Sequence, residues 1–261
     1  MTATHLHRAV ALALIAATTT ALTGCAGVLG ATMTYHDTVQ TKITDIVLTG
    51  GSGDVTITTA AVTETTVTRV IRRSANPGET YRLVGTALNI DATCGVNCSV
   101  TYEIKAPAGV AVHGRLNSGD IRLDGAGATD LEVTSGDLTV LNGAGPIQLR
   151  ASSGDIKVLD AKGAVTAQST SGDIQALNAG GAVDVRLSSG DATVVLATPA
   201  SVTAKSTSGD INVTVPTGSY KVGAVTGAGD VDLHGMVSNP GAKDVLDVQT
   251  GSGDVNIAAA A

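Results

Sequence analysis

The sequence predicts an all-β protein, a β-solenoid with about 18 residues per rung. Three observations carry this. Gly-Asp pairs recur at a nearly constant interval along the second half of the chain. A short stretch alternating apolar and polar residues follows each pair, the period-two signature of a strand with one buried face. The 261 residues include 32 Gly, no Phe, no Trp and 4 Tyr, so the core must come from Val, Leu, Ile, Ala and Thr. Aromatic rings bury about 150–250 Å² each and fill wide interiors. Their scarcity suits a thin core.

Residues 1–24 read as a lipoprotein signal peptide. "MTATHLHR" is a weakly basic opening, and "AVALALIAATTTAL" is an apolar run short of the roughly 20 residues that span a bilayer. "LTGC" (Leu22 to Cys25) then resembles the bacterial lipobox, whose cysteine is lipidated and becomes the first residue after cleavage. An ordinary signal peptide with an incidental cysteine is the alternative. Cys25 is the expected lipidation site, and its diacylglyceryl group supplies the two chains that stable membrane attachment needs. The expected protein is exported, lipid-anchored to the bacterial membrane and facing the extracytoplasmic side. Residues 25–42 are expected to form the lipidated N-terminus and tether.

Residues 43–119 keep the alternation but lose the beat, and read as an irregular β cap with the first rungs. "RVIRR" (Arg69 to Arg73) is the densest basic group and reads as a solvated strand. With Cys25 lipidated, Cys94 and Cys98 of "CGVNC" remain, and in an oxidising compartment they are expected to pair. Closing so short a loop contributes roughly 2 kcal/mol. A metal site there would need two more ligands, and no histidine or carboxylate stands at zinc-like spacing.

From 120 to 261 the repeat is regular. Gly-Asp pairs fall at Gly53-Asp54, Gly119-Asp120, Gly136-Asp137, Gly154-Asp155, Gly172-Asp173, Gly190-Asp191, Gly209-Asp210, Gly229-Asp230 and Gly253-Asp254. From Asp120 the spacings are 17, 18, 18, 18, 19, 20 and 24. One unit reads "SGDIKVLDAKGAVTAQST": a strand, a turn at "LDAKGA", then a second strand. Ile121, Leu138, Ile156, Ile174, Ala192, Ile211, Val231 and Val255 form one apolar column, and the residues two further on, from Leu123 to Ile257, form another. Two strands and two corners make a rung, stacked about 4.8 Å from the next. An antiparallel meander with SGD hairpin turns is the alternative that periodicity leaves open.

The repeated acid has a structural and a chemical reading. Glycine takes φ > 0 at a tight corner, and aspartate accepts hydrogen bonds from nearby backbone N–H groups. A calcium β-roll also has an 18-residue coil, but with GGxGxD at both corners. Here the second corner reads "DGAGA", "NGAGP", "DAKGA" or "NAGGA", so half the ligands are missing and no metal is expected. A glycosidase needs two particular carboxylates at a set separation, whereas a row has no privileged member. His36, His113 and His234 are isolated, so neither enzyme activity nor a cofactor is expected. The net charge of −7 argues against a nucleic-acid partner.

The chain stops at "GSGDVNIAAAA" with nothing to cover the last edge, so weak end-to-end self-association is expected there. "YEIKAPAGVAVHGRLNSGD" (Tyr102 to Asp120) and "NVTVPTGSYKVGAVTGAGD" (Asn212 to Asp230) share strand, Pro-x-Gly, strand, then Gly-Asp. With the SGD ladder between them, this resembles the bacterial putative-adhesin family of β-strand repeats, a domain of unknown function, over roughly residues 45 to 257. The resemblance implies a right-handed parallel β-solenoid on the cell envelope, with no catalytic residues to carry over. Some members are similar to sensor or regulatory modules of envelope stress. The expected function is a non-enzymatic surface lipoprotein serving adhesion or envelope scaffolding, with an envelope or host protein or glycan as partner. The rival is a divalent-cation-responsive or envelope-stress sensing module.

Overall fold

The computed structural model describes residues 32–72, 80–95 and 98–260. The expected signal peptide, Cys25 and the start of the expected tether lie outside the described residues. Among those described there are 23 strands, in one sheet of twelve and one of eleven, and no helix is long and apolar enough to cross a membrane.

The N-terminal third is a cap around two rungs. Strand β1 (Thr32–Val39) occupies residues expected as tether; its alternating side chains turn Asp37 and Val39 inward, and it pairs antiparallel with β4 (Thr65–Arg72). Between them, β2 (Asp45–Thr49) and β3 (Val55–Ala60) form a rung. A hairpin of β5 (Tyr81–Val84) and β6 (Ala87–Asp91) leads into β7 (Ser99–Pro107). The β6–β7 rung stacks parallel on the outer side of β2–β3, and β4 then covers β7 antiparallel.

The regular stack runs through β8 (Ala111–Ser118), β9 (Ile121–Asp124), β10 (Thr129–Ser135), β11 (Leu138–Leu141), β12 (Ile147–Ser153), β13 (Ile156–Leu159), β14 (Val165–Ser171), β15 (Ile174–Ala179), β16 (Val183–Ser189), β17 (Ala192–Leu196), β18 (Val202–Ser208) and β19 (Ile211–Val215). Every pairing here is parallel, with Leu138 opposite Ile156 and Ile156 opposite Ile174. The meander is therefore excluded: this is a two-sheet solenoid. Antiparallel pairs occur only in the N-terminal cap, among the described residues.

At the far end β20 (Tyr220–Thr226) and β21 (Val231–Asp232) step past the next position, and β22 (Asp244–Thr250) and β23 (Val255–Ala259) return to fill it. The expectation that the chain's last strand is the open edge is thus corrected: β23 lies inside, and β20–β21 is the terminal rung. Both two-rung steps begin at the echoed Pro-x-Gly, Pro107 to Gly109 between β7 and β8 and Pro216 to Gly218 between β19 and β20.

The inward columns are buried almost completely. Each buried Val or Leu stabilises the stack by roughly 1.5–3 kcal/mol. The exceptions lie in the terminal rung, where Val231 is 42% exposed and Leu233 only partly buried because no further rung covers them. Charge lies on the outer faces, where Arg115–Glu132 (2.9 Å) and Lys205–Asp247 (3.2 Å) bridge neighbouring rungs. Exposed pairs of this kind contribute about 0–1 kcal/mol each.

The tyrosines sit at the two ends. Arg69, expected on a solvated strand, is instead buried, its guanidinium 3.1 Å from the Asp37 carboxylate and flanked by the rings of Tyr35 and Tyr81 at 4.9 and 5.1 Å. Sequence alone hides this, because the counter-charge comes from 32 residues away. Tyr102 is fully buried beside it, and its hydroxyl bonds with Thr80 and donates to the Asp91 carbonyl at 3.0 Å. Burial pushes the Tyr102 phenol up to about 12, against the opposing pull of the Thr80 hydrogen bond and of Arg69.

Candidate functional site

The Gly-Asp corners of successive rungs line up along one edge of the stack. In spatial order the acids are Asp54, Asp120, Asp137, Asp155, Asp173, Asp191, Asp210, Asp254 and Asp230, the last two reversed because β23 is inserted. Each aspartate amide donates to Oδ1 of the acid one rung before it, from Asp120 to Asp54 (3.1 Å), through Asp155 to Asp137 (2.8 Å), to Asp230 on Asp254 (2.9 Å). The residue after each acid donates its own N–H to the next aspartate carbonyl, as Ile156 does to Asp173 at 2.9 Å. One carboxylate oxygen per rung is thus committed to the backbone, save at the tip, where Asp230 has no further rung to receive.

The glycines are required twice over. Gly172 has φ +123°, and a Cβ there would lie 2.3 Å from the Gly154 carbonyl oxygen of the rung below. Gly119, Gly136, Gly154, Gly190, Gly209, Gly229 and Gly253 share both features. Gly53 lacks the positive φ, but a Cβ there would meet the Val100 carbonyl oxygen at 2.3 Å. No L side chain fits between rungs stacked this closely.

The serine of the tripeptide points outward, as at Ser135, Ser153 and Ser171. The hydroxyls that tie the corner sit two residues earlier, where Ser169 and Ser206 each donate to the following serine carbonyl at 3.1 Å. These the sequence reading missed; their signal is a hydroxyl in an otherwise apolar column.

In the outermost N-terminal rung the cystine replaces Gly-Asp. Cys94 and Cys98 are disulfide-bonded with Cα atoms 5.5 Å apart, in the segment joining β6 to β7. On the opposite edge a second ladder alternates acid and amide: Asn142 donates to Asp124 (2.8 Å) and Asn178 to Asp160. Asn142, Asp160 and Asn178 all have positive φ, near +55°, a conformation that Asn and Asp tolerate best after glycine.

Beside the aspartate row, Asp137, Asp155, Asp173, Thr139, Lys157 and Gln175 line a shallow groove of about 270 Å³. It offers carboxylate oxygens in one column and a hydroxyl, an ammonium and an amide in the next. Among the described residues no three His, Cys, Asp or Glu side chains converge as a metal-ligand set. The histidines lie apart: His36 bonds Thr68 (3.1 Å), His113 faces out beside Asp130, and His234 sits in a turn with Asp232.

Sequence comparison matches residues 32–180, and again 168–258, to the family described as Toastrack DUF4097. No curated protein is similar to the chain. Among solved structures, a putative adhesin from Bacteroides fragilis NCTC 9343 is 15% identical with a TM-score of 0.54, over 88% of this chain and 97% of its own. A putative adhesin from Parabacteroides distasonis ATCC 8503 is 13% identical with a TM-score of 0.44, over 88% of this chain and 98% of its own. The first of these likenesses establishes a shared fold.

Proposed function

The chain belongs to the Toastrack DUF4097 family, and from that premise we propose that it is a non-enzymatic surface lipoprotein whose solenoid head makes adhesive or scaffolding contacts in the bacterial envelope. The observation that carries this reading is the uniformity of the aspartate row. Each acid from Asp54 to Asp254 holds the amide of the next rung, so none is set apart for acid–base work or for a metal. What remains is a stiff stack with polar faces, a surface for contact.

Lipidation at Cys25 supplies the anchor. With β1 starting at Thr32, the seven residues from Cys25 reach at most about 25 Å. The capped N-terminal end then faces the membrane, and the stack projects away from it. The names of the structural neighbours, putative adhesins, agree with a contact role.

Three measurements test this. Cys25→Ser should release the protein from the membrane fraction, and mass spectrometry of the mature N-terminus should find the diacyl group. Residues 26–261 used as bait on envelope fractions should retain a protein or glycan. Retention no better than that of an unrelated β-solenoid would end the adhesive reading.

A further inference from the structure

The terminal rung carries an unfinished sheet edge with a defined hydrogen-bonding parity. Gly227 donates its N–H inward to the Thr250 carbonyl of β22 (3.0 Å), whereas Tyr220 and Val222 point their main-chain groups outward. Those two are covered by the chain itself. The Asn239 amide donates to the Tyr220 carbonyl (2.8 Å), and the Ser238 hydroxyl both accepts from the Val222 N–H (2.9 Å) and donates to its carbonyl (3.2 Å). The strap ends there. By alternation along a strand, Ala224 and Thr226 also direct N–H and C=O outward, and no partner takes them up among the described residues. Val225 between them is 59% exposed, and Val231 at the adjoining sheet edge is 42% exposed.

We propose that this edge pairs with the same edge of a second copy, antiparallel, about a two-fold axis through Val225. Only a two-fold centred there puts Ala224 opposite Thr226 of the partner twice over, as hydrogen-bonded pairs, with the two Val225 side chains meeting as the close non-hydrogen-bonded pair. The segment is thus complementary to itself. The open part of the edge, from Ala224 to Thr226, is about 10 Å long and about 10 Å across. Two such faces bury on the order of 200 Å², well below the roughly 1,200 Å² of a stable interface, so the contact is transient. Head-to-tail stacking would set this edge against β1 and β5, edge strands of an antiparallel cap that breaks the rung repeat, and so lacks this match. Its setting rests on the anchored-head reading: with the lipid at the capped end, the Val225 edge is the tip, and two tips meet when the proteins stand on apposed membranes.

The test uses residues 26–261, which contain every described strand. Sedimentation equilibrium should show a monomer–dimer equilibrium with a dissociation constant of roughly 0.1–1 mM. Val225→Lys, placing like charges on the axis, should weaken it at least tenfold. Val225→Cys should form a disulfide-linked dimer under mild oxidation, because Cα atoms of such a pair lie about 4.5 Å apart. Val84→Cys, exposed at the opposite end, should not. A strictly monomeric chain at millimolar concentration, equal cross-linking of the two cysteine variants, or a dimer indifferent to Val225→Lys would overturn the proposal. None of these readouts needs lipid or envelope material, so their failure is separable from failure of the anchoring reading.

Discussion

The amide of Asp155 donates to the carboxylate of Asp137 across 18 residues of chain, at 2.8 Å. The acid is therefore a splint between rungs. Its neighbours along the row carry the same charge, so the splint works against repulsion that salt screens.

Asparagine keeps the acceptor and removes the charge, whereas alanine removes both. Asp155→Asn should leave the melting temperature unchanged or raise it at low ionic strength. Asp155→Ala should lower stability by about 1–1.5 kcal/mol. Denaturant titration of both variants checks this, and equal losses would mean that the charge itself matters.

Glycine positions divide by what surrounds them. Gly172→Ala should cost at least about 3 kcal/mol, since its Cβ would meet the Gly154 carbonyl oxygen at 2.3 Å. Gly109→Ala, with φ +80° but open space around the Cβ, should cost about 1 kcal/mol. Thermal unfolding of the pair separates rung spacing from backbone strain.

Tyr102 gives an alkaline limit. Its phenol titrates near 12 in the folded chain rather than at the ordinary value of 10. A raised value means stability that is complete below pH 10 and lost as pH climbs toward 12, by up to about 3 kcal/mol. Tyr102→Phe should flatten that loss, as followed by unfolding against pH with tyrosinate absorbance as the marker.

Calcium separates the contact reading from a cation-responsive one. Because one oxygen of each carboxylate from Asp54 to Asp254 already accepts a backbone N–H, millimolar calcium should move the melting point by only a few degrees. A rise of tens of degrees would reverse the assignment.

The regular stack was legible because its contacts repeat at one sequence interval. Leu138, Ile156 and Ile174 stand at that interval and meet in space. The ends were not, because their contacts skip. Pro107 and Pro216 were visible as an echo, but that each opens a two-rung step depends on which rung fills the skipped slot, β2–β3 from earlier in the chain or β22–β23 from later. Arg69 looked solvated because Asp37, Tyr35 and Tyr81 reach it only after β1 and β5 have folded over. At the row itself, glycine and aspartate announced a bend, whereas the ties by Ser169 and Ser206 were masked by their place in an apolar column.

Strands β22 and β23 follow β20 and β21 along the chain, yet they occupy the gap between that rung and β18–β19. Assembly therefore cannot proceed rung by rung in chain order. The slot stays vacant until Asp244 to Ala259 are free to enter it, and closing it is a single insertion between two rungs already laid down. A chain cut before Asp244 would keep the stack through β19 yet lack the wedge on which its own tip rests, so the tip is only as sound as the segment that follows it.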